Sequence, residues 1–378
     1  MRPITDTHKV SRAKLAYLID ATAAPICMIA PISSWAAAVS GFVEDYNGIE
    51  LFIKAIPYNF YSLATIVMII AITVMKFDYG PMRVHERNAI LHDDIYTTPD
   101  RPYAGLETEE EAPEGRKSSV WDLILPIIVL IIACVLGMIY TGGFFDGVGF
   151  VDAFANSDAT YGLPLGSGIA MIIMIIYYMT RRLITFSDAM ACVPEGVKAM
   201  VPAILILTFA WTLCSITSLL GADVFVAGVM DNAAEGLKIM LPAIIFVVAA
   251  FLGFSTGTSW GTYGILIPII TGLFPVDDPM LIIGISACCA GAVSGDHCSP
   301  ISDTTIMAST GAQCNHINHV STQLPYALTV VAVSFVGYII AGFTKSAVIS
   351  LPITLVLMVV VLFAIRSVVK KNDFEPEK

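Results

Sequence analysis

Apolar runs of bilayer-crossing length recur from one end of this chain to the other, and they restrict its folds more than any other feature. Ten candidate crossings can be marked, at residues 15–41, 56–75, 120–140, 161–180, 199–220, 237–256, 258–274, 280–311, 324–344 and 348–365. A hydrocarbon core about 30 Å thick is spanned by roughly 20 apolar residues in a helix. Every peptide N–H and C=O inside it must find a partner within the protein, so runs of this length read as helices. The fold class is therefore an all-α polytopic membrane protein with about ten transmembrane or re-entrant helices. A balance of 56% hydrophobic to 13% charged residues excludes an ordinary soluble domain. The seventh run is short and reads equally as one arm of a re-entrant hairpin.

Charges between the runs set an orientation, because Lys and Arg accumulate on the cytoplasmic side. The start of the chain carries Arg2, Lys9, Arg12 and Lys14, and the loop 76–119 carries Lys76, Arg83, Arg87, Arg101, Arg116 and Lys117. Arg181 and Arg182 follow the fourth run, and Arg366, Lys370 and Lys371 follow the last. The connections 141–160 and 221–236 have none, and 42–55 has only Lys54. Both termini are expected in the cytoplasm of a prokaryotic cell, with the protein multi-pass in the inner membrane. The polar first residues do not have the build of a cleavable signal peptide. Loop 76–119, with Glu109, Glu110, Glu111 and Pro99, Pro102 and Pro113, is expected to be a flexible acidic cytoplasmic linker. It would join a first membrane part, 1–75, to a second, 120–378. Many of the acids behind the net charge of -11 lie there, so that charge carries no functional weight. Cys27, Cys134, Cys192, Cys214, Cys288, Cys289, Cys298 and Cys314 sit mostly in apolar runs without metal-ligand spacing and are expected to pack in the membrane.

The eighth run breaks the apolar pattern. From Ser294 to Gly311 it places Asp296, His297, Asp303 and a row of hydroxyls where a membrane helix is expected. One Asp at a bilayer centre costs about 2.5–3.5 kcal/mol on insertion scales unless it is paired, protonated or bound to a cation. Pro300 and Gly295 add helix-breaking chemistry, tolerated in lipid only where freed backbone groups find partners or line a cavity. Asp296, Ser299, Ser302, Asp303 and Thr304 supply oxygens, the ligands hard cations prefer. A carboxylate in such a place holds either a proton or a cation, which is the simplest basis for exchange. His297 is a candidate pH sensor or proton relay, or a structural, hydrogen-bonded histidine.

Two further stretches are candidates for the same chemistry. Gly257-Thr258-Ser259-Trp260-Gly261 is richer in hydroxyls than helix packing needs and is expected to form a broken or re-entrant element, with Gly257 and Gly261 as breakers and Thr258 and Ser259 as oxygen ligands. Together the ion-site motifs span 255–270 and 291–311. In the first run, Asp20 either binds the cation, lies at headgroup level or caps the helical segment that follows, and Ser33 and Ser34 follow the breaker Pro31. Pro31-Ile32-Ser33-Ser34 echoes Pro300-Ile301-Ser302-Asp303, and the charge-derived topology runs the two in opposite directions. Inverted-topology transporter repeats leave such a trace. The spans preceding the second copy have no counterpart before the first, so a missing N-terminal half is expected.

These residues resemble a known family. Gly295-Asp296-His297-Cys298-Ser299-Pro300-Ile301-Ser302-Asp303-Thr304-Thr305, with residues 257–262 and 11–25, is similar to the NhaC-type sodium/proton antiporters of the ion transporter superfamily. The resemblance implies a secondary transporter exchanging Na+ for H+, with no cofactor beyond the transported ions. It places Asp296, Ser299, Ser302 and Asp303 in the cation site and 257–261 in its partner element. Partners expected are the lipid bilayer, Na+ and H+; a homodimer is compatible, and no nucleic acid is expected. Two alternatives stay open: a sodium-coupled organic-anion antiporter of the malate/lactate kind, and a non-functional C-terminal fragment. No Walker A motif and no His-Glu-x-x-His helix is present, so neither an ATP-driven pump nor an intramembrane hydrolase is expected.

Overall fold

A computed structural model describes residues 2–30, 48–99, 121–221, 238–275 and 277–369, with positions 35, 39 and 119. Among the described residues there are helices and no strands. In chain order they are α1 (Arg2–Thr7), α2 (Arg12–Ala21), α3 (Ala24–Cys27), α4 (Gly48–Ala55), α5 (Phe60–Met75), α6 (Pro81–His92), α7 (Trp121–Thr141) and α8 (Phe150–Ala155). There follow α9 (Ala159–Thr180), α10 (Phe186–Leu219), α11 (Leu241–Thr256), α12 (Ser259–Leu273), α13 (Pro279–Cys298), α14 (Asp303–Ala312), α15 (His316–Thr344) and α16 (Ala347–Val369). Five of these are long and apolar enough to cross a bilayer, and α4 with α5, bent by 51° at the break between them, forms either a broken sixth span or a re-entrant loop. The protein is thus an all-α, multi-pass integral membrane protein.

The breaks are local consequences of sequence. Asn59 accepts from Ser62 N–H at 3.2 Å and starts α5 after the bend. α11 and α12, of 16 and 15 residues, are each shorter than a full crossing and meet at Gly257-Thr258. α13 ends at Cys298 and α14 begins at Asp303, with Pro300 between them. The first run is also interrupted, at Thr22-Ala23 ahead of Pro25. Pro31, Ser33 and Ser34, and with them one half of the internal echo, lie outside the described residues.

α13 is the centre of the molecule. Of this span 89% is buried, against 17–22% for α7, α9 and α16, whose apolar faces are left to lipid. Small residues allow that burial. A Cβ added at Gly291 would lie 2.4 Å from the Phe246 carbonyl oxygen, and one at Gly295 would lie 2.0 Å from that of Ala250. Gly253 on α11 answers, where a Cβ would meet the Ala292 oxygen at 2.5 Å. The two backbones therefore touch, as membrane helices with small residues at the interface do.

The loop 76–119 is a built structure over its first part. Helix α6 buries Met82, His85, Glu86 and Ala89. Lys14 Nζ lies 2.8 Å from Asp78 and 3.4 Å from Glu86, the Ser11 N–H donates to Glu86 at 2.9 Å, and Tyr326 donates to Asp78 at 2.6 Å. Residues 76–99 thus depart from the expected flexible linker, because two buried carboxylates need the cation that α2 supplies; 100–118 lie outside the described residues. Burial pushes the Glu86 carboxyl up from its ordinary range. Burial acts to lower Lys14, but the charges of Glu86 and Asp78 outweigh it and hold the ammonium above its ordinary value.

Candidate functional site

Two helix breaks lie against each other. Gly257 closes α11 with φ +65°, and a Cβ there would stand 2.7 Å from Ile301 Cγ1 and 2.8 Å from its carbonyl oxygen. The left-handed backbone and the close approach both require glycine. This crossing brings the start of α12 to the last turn of α13. Asp296, 2% exposed, accepts on Oδ2 from the Ser259 N–H at 3.2 Å and the Ser259 hydroxyl at 2.6 Å. A helix N-terminus with its free N–H groups is a natural seat for an anion. Asp296 Oδ1 is buried without a partner.

The rest of the 295–305 motif divides between holding the break and facing the site. The Ser299 hydroxyl donates to the Phe254 carbonyl at 2.8 Å, which satisfies the end of α11. Ser302 is the N-cap of α14, and its hydroxyl lies 3.0 Å from that of Thr304. Asp303, half-buried, occupies the first position of α14, where the helix dipole favours a carboxylate. The Thr258 carbonyl accepts from the Thr262 hydroxyl at 3.1 Å. Two expected breakers are corrected. Gly261 lies inside α12 and Gly295 inside α13, and both helices run through them. Glycine removes a side chain without forcing an unusual φ, so Gly295 serves close packing, while Gly261 is exposed.

Asp20 and His297 belong to a separate cluster. Asp20 is fully buried in the protein. Its Oδ2 accepts from Gln323 Nε2 at 2.9 Å and lies 3.3 Å from His319 Nε2 and 4.0 Å from His297 Nε2. Gln323 Nε2 also donates to the His297 carbonyl. His297 Nδ1 is 2.6 Å from the Tyr61 hydroxyl. Asp296 and His297, adjacent in sequence, thus face different partners. His319, Gln323 and Tyr61 were not singled out in the sequence. The signal available was the spacing of His319 and Gln323, four apart on one helical face, but α15 begins at His316, ahead of the apolar run at 324.

The buried carboxylate of Asp296 thus stands beside two paired helix breaks. The chain belongs to the Na+/H+ antiporter family, whose sequence model matches residues 3–343. Membership makes it an antiporter-type membrane protein rather than an enzyme. It is 40% identical to an uncharacterized protein of Haemophilus influenzae over 97% of this chain and 70% of that one. It is 29% identical to an uncharacterized Na(+)/H(+) antiporter of the same organism, over 48% of this chain and 41% of the relative. With the malate-2H(+)/Na(+)-lactate antiporter of Bacillus subtilis it shares 28% identity over 42% of this chain and 34% of that protein. The chain therefore spans well under two thirds of the length of these last two relatives. No solved structure matches it.

Proposed function

We propose that this protein exchanges Na+ for H+ across the prokaryotic inner membrane, with Asp296 as the carboxylate that takes the cation. The observation that carries this is the unpartnered Oδ1 of a buried carboxylate whose other oxygen is held by the N-terminus of α12. A buried acceptor left bare costs about 1–3 kcal/mol, and more when charged. A sodium ion or a proton removes that cost, and only one of them fits at a time. Asp303, Ser302 and Thr304 supply further oxygens from the start of α14, with Ser259 and Thr258 on the opposing break. Ser299 supports the site by holding Phe254 rather than by ligating. Both termini face the cytoplasm, and 76–119 lies on that side between the membrane parts 1–75 and 120–378.

Exchange of an organic anion, as named for the Bacillus subtilis relative, is the second reading. The site's composition favours the inorganic cation: α12, α13 and α14 carry no Lys or Arg to meet a carboxylate substrate. The test is Na+-induced proton movement in vesicles, followed with a pH-sensitive dye. Wild type should exchange, and Asp296→Asn and Asp303→Asn should not, although both insert. Undiminished exchange in Asp296→Asn would remove it from the mechanism, and exchange that requires malate or lactate would favour the second reading.

A further inference from the structure

The cluster around Asp20 has no part in the exchange at Asp296 as described above, and its chemistry is different. Asp20, His319 and Gln323 are at most 1% exposed, and each keeps a buried polar atom without a partner: Asp20 Oδ1, His319 Nδ1 and Gln323 Oε1. The groups set against Asp20 are imidazole and amide nitrogens, whereas hydroxyls stand near Asp296, and sodium prefers oxygens. The Asp20 cluster is a good seat for a proton, because the bare Asp20 Oδ1 and the imidazole nitrogens of His319 are proton acceptors held close together. The geometry also supplies a link. The two hydrogens of the Gln323 amide go to Asp20 and to the His297 carbonyl, so one side chain ties α2 to the turn of α13 that bears Asp296.

We infer that Asp20, His319 and Gln323 form a second centre that holds a further exchangeable proton, besides the one that alternates with the cation at Asp296, and that this centre is coupled to Asp296 through Gln323. The inference rests on the assignment of Asp296 as the cation site. His297 Nε2 is also buried without a hydrogen-bond partner but stands 4.0 Å from Asp20 Oδ2, against 3.3 Å for His319 Nε2, so the proton is assigned to His319. The groups within electrostatic reach of Asp20 are His297, Asp296 and Cys298 on α13, Asp303 on α14, His316 and His319 on α15, Tyr61 on α5 and Tyr17 on its own helix. A proton taken up by the His319–Asp20 pair adds positive charge that opposes a cation at Asp296. A cation arriving at Asp296 releases that proton, and linkage makes the two effects equal. Only an N–H or O–H bond is made or broken at this centre, its one proton leaving in addition to the proton that Na+ displaces from Asp296.

The test separates binding from release in the purified full chain. Equilibrium dialysis with radioactive sodium measures binding, and a pH dye in weak buffer measures protons released on adding NaCl. Asp20→Asn and His319→Gln, two nearly isosteric changes on different helices, should bind sodium at alkaline pH within about threefold of wild type. Both should release about half as many protons per sodium bound as wild type, because only the proton displaced from Asp296 remains. Gln323→Leu should keep a titrating centre but flatten the pH dependence of sodium affinity. Wild-type release per bound sodium in Asp20→Asn and His319→Gln overturns the inference. Loss of sodium binding in Asp20→Asn together with Asp296→Asn also overturns it, in favour of one shared site. Retained sodium binding in Asp296→Asn instead overturns the assignment of Asp296, whatever the other variants do.

Discussion

Replacing Gly257 with alanine should damage both stability and transport, while the same change at Gly261, four residues on, should damage neither. The structure gives the reason. At Gly257 φ is +65°, a conformation that costs an ordinary L-residue about 1–2 kcal/mol. The new Cβ would also stand 2.7–2.9 Å from Ile301, including its carbonyl carbon and oxygen, which belong to a break packed on both sides. Overpacking of this kind costs about 1–3 kcal/mol. Together the two effects come to about 2–5 kcal/mol for Gly257→Ala. Gly261 is exposed within α12, and alanine there gains up to about 1 kcal/mol of helix propensity. Thermal unfolding in detergent gives the stability difference, and the vesicle dye assay gives the transport. Moving Ile301 also moves the break that orients Asp296 against Ser259, so Gly257→Ala should lose exchange beyond what its folded fraction explains. Equal loss in both variants would refute the structural distinction and return the pair to a simple helix-packing motif. No loss in either would show that the breaks do not touch.

Three further outcomes follow from named contacts. Ser259→Ala removes the hydroxyl donated to Asp296 at 2.6 Å, a hydrogen bond to a charged group worth about 1.5–3 kcal/mol, and should shift the apparent sodium affinity by roughly tenfold or more in the dye assay. Lys14→Met leaves Asp78 and Glu86 without their shared cation and should cost about 3–5 kcal/mol in detergent unfolding, with part of the loss recovered by adding Asp78→Asn and Glu86→Gln. Glu86 gives a pH signature: its folded-state proton affinity is raised above the ordinary value of 4.5, so the stability it contributes is present below that value and is lost as pH rises through the raised one. The melting temperature of Glu86→Gln relative to wild type should therefore climb over the pH range above 4.5, and a flat difference would contradict the burial of that carboxyl.

Much of the architecture was legible in the residues, because membrane insertion reads local composition. Apolar length marked membrane-crossing helices, and Pro300 and Gly257 marked places where helices stop. The same local reasoning misjudged Gly261 and Gly295, since glycine permits a break without imposing one. It also passed over α6, whose docking depends on Lys14 finding Asp78, 64 residues away.

Partner choice was decided only by the tertiary structure. Asp296 could have met any hydroxyl in the chain; it meets Ser259, 37 residues earlier, because Gly253, Gly291 and Gly295 let α11 and α13 touch along their backbones and deliver the start of α12 to that carboxylate. Asp20 could have capped a helix at the membrane surface; His319 and Gln323, 299 and 303 residues along the chain, make it the core of a buried cluster. Helical periodicity relates residues three and four apart, and composition relates a segment to lipid or water. Neither relates one helix face to another, and that matching gathers scattered polar side chains into two adjoining clusters at Asp296 and His297 of α13.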